Sequence, residues 1–256
     1  MTTKPPAEPP IASSDYRGRI YDRYVGLNAG CAARAESSAD SAPGNPYLAK
    51  VIRDHFPADR AAKILDLGCG EGTFLRALRQ QGYTDLAGID RSPEQVAEAA
   101  RRGDTGVRLG DVLVDAGALP DASHDVIIAF DVIEHLKREE LLVLADNVRR
   151  ALRPGGRWLL HLPNAESPFF GRIRYGDVTH EQAFTRGSLR QVLLATGFAE
   201  VRCYEDAPVV HGVKSAARLA VWKMIRLGLR VYLAAETGET GGEAIFSQNL
   251  LAVAVR

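Results

Sequence analysis

The sequence predicts an α/β fold in which one mostly parallel sheet of seven strands carries helices on both faces. Between residues 63 and 162, short apolar segments alternate with longer segments of helical periodicity, which is typical of strands joined by helical crossovers. The segment 124–130 is apolar along most of its length, as expected for a strand covered on both faces. The 256 residues, of which 46% are hydrophobic, suffice for one domain with a sizeable core.

Each predicted element rests on apolar periodicity and on the Gly, Pro or capping residue that bounds it. Strands are expected at residues 63–67, 86–90, 107–109, 124–130, 157–162, 199–204 and 245–255. Helices are expected at residues 46–55, 71–81, 138–152, 188–195 and 216–235, and from Pro93 onward with Ser92 as its N-cap. Residues 1–43 are predicted to be a flexible tail with a short ordered segment, and residues 44–256 to form the folded domain.

Composition gives the chain no bias toward nucleic acid. Lys plus Arg and Asp plus Glu both number 32, so the formal net charge is zero and no nucleic-acid partner is expected. Cys31, Cys69 and Cys203 are widely spaced, which indicates neither a disulfide framework nor a zinc site. The first residues lack an apolar signal core, and a cytoplasmic location is therefore expected.

The most specific motif is I-L-D-L-G-C-G-E-G at residues 64–72, a predicted strand that leads into a glycine-rich turn and a helix. Its glycines allow a tight turn and a close approach of a ligand to the backbone. The spacing G-x-G-x-G differs from the dinucleotide pattern G-x-G-x-x-G, which disfavours a nucleotide-dependent oxidoreductase. Asp66 precedes the first glycine, and its negative charge suits the sulfonium and ammonium of S-adenosylmethionine better than a pyrophosphate.

Two more carboxylates follow the next two predicted strands. Asp90 ends the segment G-I-D, where its oxygens can accept both hydroxyls of a ribose. Asp111 lies in G-D-V, where it can accept from the exocyclic amine of adenine beside the backbone N–H of Val112. Because parallel strands end at one edge of the sheet, these groups are expected to form a single nucleoside site.

Together with F-D-V-I-E-H-L at 130–136 and L-R-P-G-G at 152–156, these motifs resemble the class I S-adenosylmethionine-dependent methyltransferases, especially the branch that includes quinone O-methyltransferases. The resemblance covers about residues 60–165 and implies a Rossmann-like sheet whose last strand, 245–255, is antiparallel. The Cys69 thiol is interpreted as a packing group rather than a nucleophile. The residues predicted to contact the cofactor are Asp66, Gly68, Cys69, Gly70, Gly72, Asp90, Arg91, Asp111, Val112, Phe130 and Asp131.

The candidate bases for a hydroxyl acceptor are His135, His161, His180, Asp177 and Glu181. His180, in a segment that should cover the carboxyl edge of the sheet, is favoured, and His135 is the second candidate. For both, a structural hydrogen bond that fixes a loop is the alternative. His161 alternates along a predicted strand and is expected to belong to the core. Asp131, Glu134 and Asp177 offer metal ligands, but no ligand spacing requires a metal, and none is predicted.

Residues 163–185 are predicted to form a lid on the acceptor side. Its polar residues favour O-methylation of a sugar, a glycan or another small-molecule hydroxyl. A quinone precursor or a lipid-linked acceptor is the alternative, and N-methylation and a non-catalytic, cofactor-binding regulator also stay open. The lid residues suited to bind an acceptor are Asn164, Phe169, Phe170, Arg172, Arg174, Tyr175 and Asp177.

An apolar helix with basic residues biased to one side, 216–235, lies within an expected helical insertion at 214–236. Such a helix suits packing on the domain, a homodimer contact, or peripheral contact with a membrane.

Overall fold

The computed structural model describes residues 16–21, 45–239 and 242–256, so most of the predicted N-terminal tail lies outside the described residues. Within the described part, seven strands form one sheet in the order β3-β2-β1-β4-β5-β7-β6. β7 is antiparallel to β5 and β6, and the remaining pairs are parallel, which confirms the predicted fold class. The strands are β1 (Ile64–Leu67), β2 (Leu86–Asp90), β3 (Val107–Leu109), β4 (His124–Phe130), β5 (Leu152–Pro163), β6 (Glu200–Glu205) and β7 (Asn249–Val255).

The helices connect these strands across both faces of the sheet. Asn45, Ser92, Asp111 and Thr185 act as N-caps, because their side-chain oxygens accept backbone N–H groups of the first turn. Between residues 163 and 185 the lid contains one short helix. The helices are α1 (Tyr16–Tyr21), α2 (Pro46–His55), α3 (Thr73–Gln80), α4 (Pro93–Arg101), α5 (Val112–Ala118), α6 (Arg138–Ala151), α7 (Phe170–Arg174), α8 (Arg186–Ala195) and α9 (Val213–Thr237).

Two strands begin several residues away from their predicted first residues. β5 begins at Leu152 rather than 157, because Leu152 pairs with His124 of β4 and the backbone of Gly155 and Gly156 exchanges hydrogen bonds with Arg256. β7 begins at Asn249 rather than 245. The preceding segment leaves the sheet because the carbonyls of Ile245 and Ser247 accept hydrogen bonds from a side-chain amide instead of a strand.

Buried side chains form one apolar layer on each face of the sheet. In β4, Ile127 and Ala129 belong to the layer under α6 and α8, whereas Val126 and Ile128 belong to the layer under α2 and α3. Alternate residues of a strand point to opposite faces, so one apolar run fills both layers. Among the described residues, no helix combines the length and apolarity needed to cross a bilayer.

Candidate active site

A cavity of about 310 Å³ lies at the carboxyl ends of β1 to β4, the edge at which open parallel sheets bind ligands. This position follows from the topology, because β1 and β4 are the central neighbours from which the strand order runs in both directions. Eight of the predicted cofactor residues line the cavity, and so does one of the candidate bases. These residues are Gly68, Gly70, Asp90, Arg91, Asp111, Val112, Phe130, Asp131 and His135.

The glycine-rich turn has a backbone that side chains would disturb. Gly68 and Gly72 have φ angles of +73° and +79°, in the left-handed region. A Cβ on Gly68 would lie 2.5 Å from the Val132 side chain, and one on Gly72 would lie 2.5 Å from the Asp104 carboxylate. The Gly68 N–H donates to the carbonyl of Ile89, which joins the turn to the end of β2. The glycines therefore set the shape of this cavity wall.

Three predicted cofactor residues, Asp66, Cys69 and Gly72, are not part of the cavity wall in the described structure, so their contacts with the cofactor stay predictions. The Cys69 thiol packs over Gly88, where a Cβ would lie 2.6 Å from its sulfur. Burial raises the pKa of this thiol, and it is held as a neutral packing group. Asp66 is buried beneath the turn, and burial, followed by the nearby Asp90 carboxylate, raises its pKa well above the usual range.

The carboxylates of Asp90 and Asp111 line the cavity and also accept hydrogen bonds from backbone N–H groups. The Asp90 carboxylate accepts the N–H groups of Gly70 and Ser92, both at 2.8 Å, which ties the glycine turn to β2. The Asp111 Oδ1 accepts the N–H of Leu113 at 2.9 Å as the N-cap of α5. The other oxygen of Asp111 lies 4.0 Å from the Arg91 guanidinium.

The N-terminal helix α1 supplies a wall of the cavity that the sequence did not predict. Arg17 and Tyr21 line the cavity, and Arg17 pairs with Glu140 at 2.9 Å. Tyr21 lies with its ring 5.6 Å from the Arg91 guanidinium and 6.2 Å from the His135 ring. The one available signal was the set of tyrosines near residue 20, which predicted a short ordered segment but no role.

His135 ends a hydrogen-bond relay that begins in the lid. Its Nδ1 lies 2.9 Å from the Thr179 hydroxyl, which donates to Asp177 Oδ1 at 2.6 Å. Although burial opposes it, hydrogen bonds from Thr179 hold the pKa of Asp177 below its usual range, so this carboxylate is ionised and only accepts. The Thr179 oxygen must then accept from His135 Nδ1–H, which leaves Nε2 unprotonated in the neutral ring.

The electrostatic surroundings keep the His135 ring neutral. Burial, and then the neighbouring His180, lower the pKa of His135. His180 packs against it with ring centroids 4.7 Å apart, but it does not line the cavity, and its buried Nδ1 has no hydrogen-bond partner among the described residues. Burial also lowers the pKa of His180. Of the two predicted bases, His135 is therefore the one at the cavity wall.

Glu134 lies behind the two histidines. It is 1% exposed, and neither carboxylate oxygen has a hydrogen-bond partner in the part of the chain that the structure describes. Burial, followed by the charge of Asp131, raises its pKa well above the usual range. Its backbone carbonyl accepts the N–H groups of Glu181 and Gln182 in the lid. Within the described residues, Glu134, His135 and His180 are the group whose ligand atoms converge, within 4.8 Å, closely enough for a metal ion. The metal ligands considered from the sequence were Asp131, Glu134 and Asp177, so only Glu134 belongs to both groups.

His161 is a core histidine, as expected, but it also supports the cavity wall. Its Nδ1 lies 2.9 Å from Asp131 and its Nε2 lies 3.4 Å from Asp206, while its ring stacks on Phe130. Although burial opposes it, these carboxylates raise the pKa of His161 well above the usual range. Asp131 has a φ of +54°, and its N–H donates to the His161 carbonyl at 2.8 Å, which fixes this conformation.

The lid is less polar toward the cavity than the sequence suggested. Asn164 was expected to bind an acceptor, but it is fully buried and donates to the carbonyls of Ile245 and Ser247. The amide nitrogen of Asn164 therefore stabilises the fold rather than binding an acceptor. Phe169 and Tyr175 are exposed, Tyr175 by 80%, and neither lines the cavity.

The sheet order, the glycine turn and the carboxylates at the strand ends define a class I S-adenosylmethionine-dependent methyltransferase. A family model described as a methyltransferase domain matches residues 44–202. The chain belongs to this methyltransferase family, and S-adenosylmethionine is its cofactor. The alternative of a nucleotide-dependent oxidoreductase is thereby set aside.

Similar proteins carry methyltransferase names. An uncharacterized methyltransferase of Schizosaccharomyces pombe is 30% identical over 170 residues, which cover 65% of this chain and 60% of that protein. A ubiquinone biosynthesis O-methyltransferase of Xylella fastidiosa is 28% identical over 149 residues, which cover 57% and 59%. The chain thus spans about 60% of the length of these relatives. A methyltransferase of Archaeoglobus fulgidus has the same fold, with a TM-score of 0.64 at 19% identity over 92% of this chain and 100% of that one.

Proposed function

We propose that this chain transfers a methyl group to a hydroxyl oxygen of a small-molecule acceptor, and that His135 is the base that takes the hydroxyl proton. The relay from Asp177 through Thr179 to His135 carries the proposal. It fixes the tautomer that leaves Nε2 as the proton acceptor, on a residue of the cavity wall. Thr179 and Asp177 are positioning residues that act through His135.

The residues around the cavity suit the cofactor chemically. Bound S-adenosylmethionine supplies a methyl group on a sulfonium, which is already a reactive electrophile. The half-buried Asp90 carboxylate beside the glycine turn faces the cavity, where its oxygens can accept hydrogen bonds from the cofactor. The remaining tasks of the protein are to align the acceptor, remove its proton and exclude water.

A phenol of the quinone-precursor type is the acceptor that the cavity favours. The cavity wall that includes His135 also contains Tyr21, Phe130, Val132 and Leu136, which suit the face of an aromatic ring. The name of the Xylella fastidiosa relative supports the same class. A sugar or glycan is the second candidate, because Arg172 and Tyr175 give the outer lid exposed groups that can bind one. Cytoplasmic location stays a prediction that the free thiols of Cys69 and Cys203 support.

The acceptor class is tested with purified protein and methyl-labelled S-adenosylmethionine. A catechol and a simple methyl glycoside serve as matched phenolic and sugar probes. We expect label in the catechol. Label in the glycoside alone would replace the phenol with a sugar, and cofactor binding without transfer to any acceptor would favour a regulator.

The base is tested by the pH dependence of transfer. The lowered pKa of His135 predicts that wild-type activity falls only as pH drops below the ordinary histidine range. His135→Gln should lower the rate of methyl transfer roughly a hundredfold or more. The remaining rate should no longer fall at acidic pH, and the affinity for the cofactor should be unchanged. His180→Gln is the matched control, and its rate should still fall at acidic pH. If the fall at acidic pH disappeared in the His180 variant alone, His180 would be the base.

A further inference from the structure

The helix α9 packs on the domain along one side only. It has 25 residues, of which Ser215 alone is buried. On its inner side, the Arg226 guanidinium donates to Glu205 at 2.6 Å and to the Ala244 carbonyl at 3.2 Å, and it lies 6.0 Å from the Phe246 ring. Glu205 is the last residue of β6, so these contacts anchor the helix at the carboxyl end of that strand.

The opposite side of α9 is an apolar stripe on which none of the described residues packs. A spacing of three and four residues places its members on one helical face, turned away from the half-buried Trp222 and Arg226. Val213 is 88% exposed and Met224 is 75% exposed. A contiguous exposed apolar face of this kind marks an interaction surface. The stripe consists of Val213, Ala217, Ala220, Met224, Leu227 and Val231.

Basic residues border the stripe on both sides. At 100° per residue, Lys214 and Arg218 lie on one flank, and Lys223 lies on the other. Glu236 is the single acidic residue in the helix. A second copy packed on this face would bring these cations against one another, whereas the phosphates of anionic lipids would pair with them.

We propose that α9 docks the protein peripherally on an anionic membrane surface, with the apolar stripe in the boundary between headgroups and acyl chains. β6 runs in the same direction as β5, because both are antiparallel to β7. The carboxyl end of β6 therefore lies on the sheet edge that holds the cavity. Docking through α9 would bring the site to the membrane, where an apolar acceptor concentrates. This proposal goes beyond the proposed reaction and does not depend on it.

The test is sedimentation of the full chain with vesicles of phosphatidylcholine alone or of equal parts phosphatidylcholine and phosphatidylglycerol. We expect binding to the mixed vesicles only, weakened by added salt. The double variant Met224→Glu/Val231→Glu should lose roughly tenfold or more of this partitioning. Leu142→Glu/Val143→Glu is the matched control, because it adds the same charge at exposed apolar positions of α6.

Two further measurements keep the result interpretable. Affinity for S-adenosylmethionine should be the same in both double variants, since neither pair lines the cavity, and this checks that they fold. Analytical ultracentrifugation reports the oligomeric state. A wild-type dimer that Met224→Glu/Val231→Glu makes monomeric, without vesicle binding by either, would overturn the proposal in favour of a second copy. Equal binding to both kinds of vesicle, or equal loss in the α6 control, would also overturn it.

Discussion

At the scale of single residues, the strand-end carboxylates could be predicted from the sequence, but the partners of the histidines could not. Asp90 and Asp111 directly follow apolar strands, and parallel topology brings them to one cavity. His161 pairs with Asp131 and Asp206, which are 30 and 45 positions away. Local sequence holds no information on such distant contacts, so the periodicity of β5 predicted burial and not pairing.

The buried carboxylate of Asp66 predicts a pH-dependent affinity for the cofactor. Its pKa is raised well above the usual range by burial and by Asp90, and a cation is attracted only by the ionised form. The dissociation constant for S-adenosylmethionine should therefore rise as pH falls through this raised pKa. Asp66→Asn should bind weakly at every pH, with a flatter profile. Isothermal titration calorimetry across pH measures both.

Asp54→Asn is the control for this experiment, because Asp54 lies on α2 and pairs with Lys50 away from the cavity. It should keep the wild-type profile. An Asp66→Asn variant with wild-type affinity and slope would remove Asp66 from the cofactor site.

At the scale of elements, long segments with clear boundaries were predicted closely, and short helices inside loops were missed. β2, β3 and β4 begin and end at the predicted residues. α5 was missed because its seven residues include Gly117 and two valines, which are weak helix formers. Its formation depends on the Asp111 cap and on packing against α6.

Substitution of two glycines by alanine separates the cost of backbone strain from the cost of a steric clash. Gly68 and Gly103 both have left-handed φ angles, +73° and +83°, but only a Cβ at Gly68 meets a neighbour. Each substitution by Ala should cost about 1–2 kcal/mol from backbone strain. Gly68→Ala should cost more, because the Val132 side chain must move, and it should also weaken binding of S-adenosylmethionine.

Urea unfolding measures the two stabilities, and titration of the cofactor measures binding. Gly103→Ala, which places its Cβ in open space, should leave cofactor affinity unchanged. Equal losses of stability and affinity in both variants would show that the contact with Val132 does not shape the cavity.

At the scale of the whole molecule, His161 joins the cofactor half of the sheet to the half that carries α9. It lies on β5, contacts Asp131 beyond β4, and contacts Asp206 directly after β6. The Asp206 N–H in turn donates to the Oγ of Ser247, a residue that precedes β7 in the chain. The cavity wall and the strand that anchors α9 are therefore linked through one protonated ring.

This link predicts a pH-dependent contribution to stability. The folded pKa of His161 is raised above its unfolded value of about 6.5, so the stabilisation is fully present below that value and is lost as pH rises through the folded pKa. Asp206→Asn should lower the free energy of unfolding by about 1–2 kcal/mol at mildly acidic pH, and the difference from wild type should shrink at alkaline pH. Asp121→Asn, at an exposed pair with Arg150, is the control and should show no such trend. If the Asp206→Asn difference stayed constant or grew with pH in urea unfolding, His161 would be neutral in the folded protein, and its charge would not link the cavity wall to the strand that anchors α9.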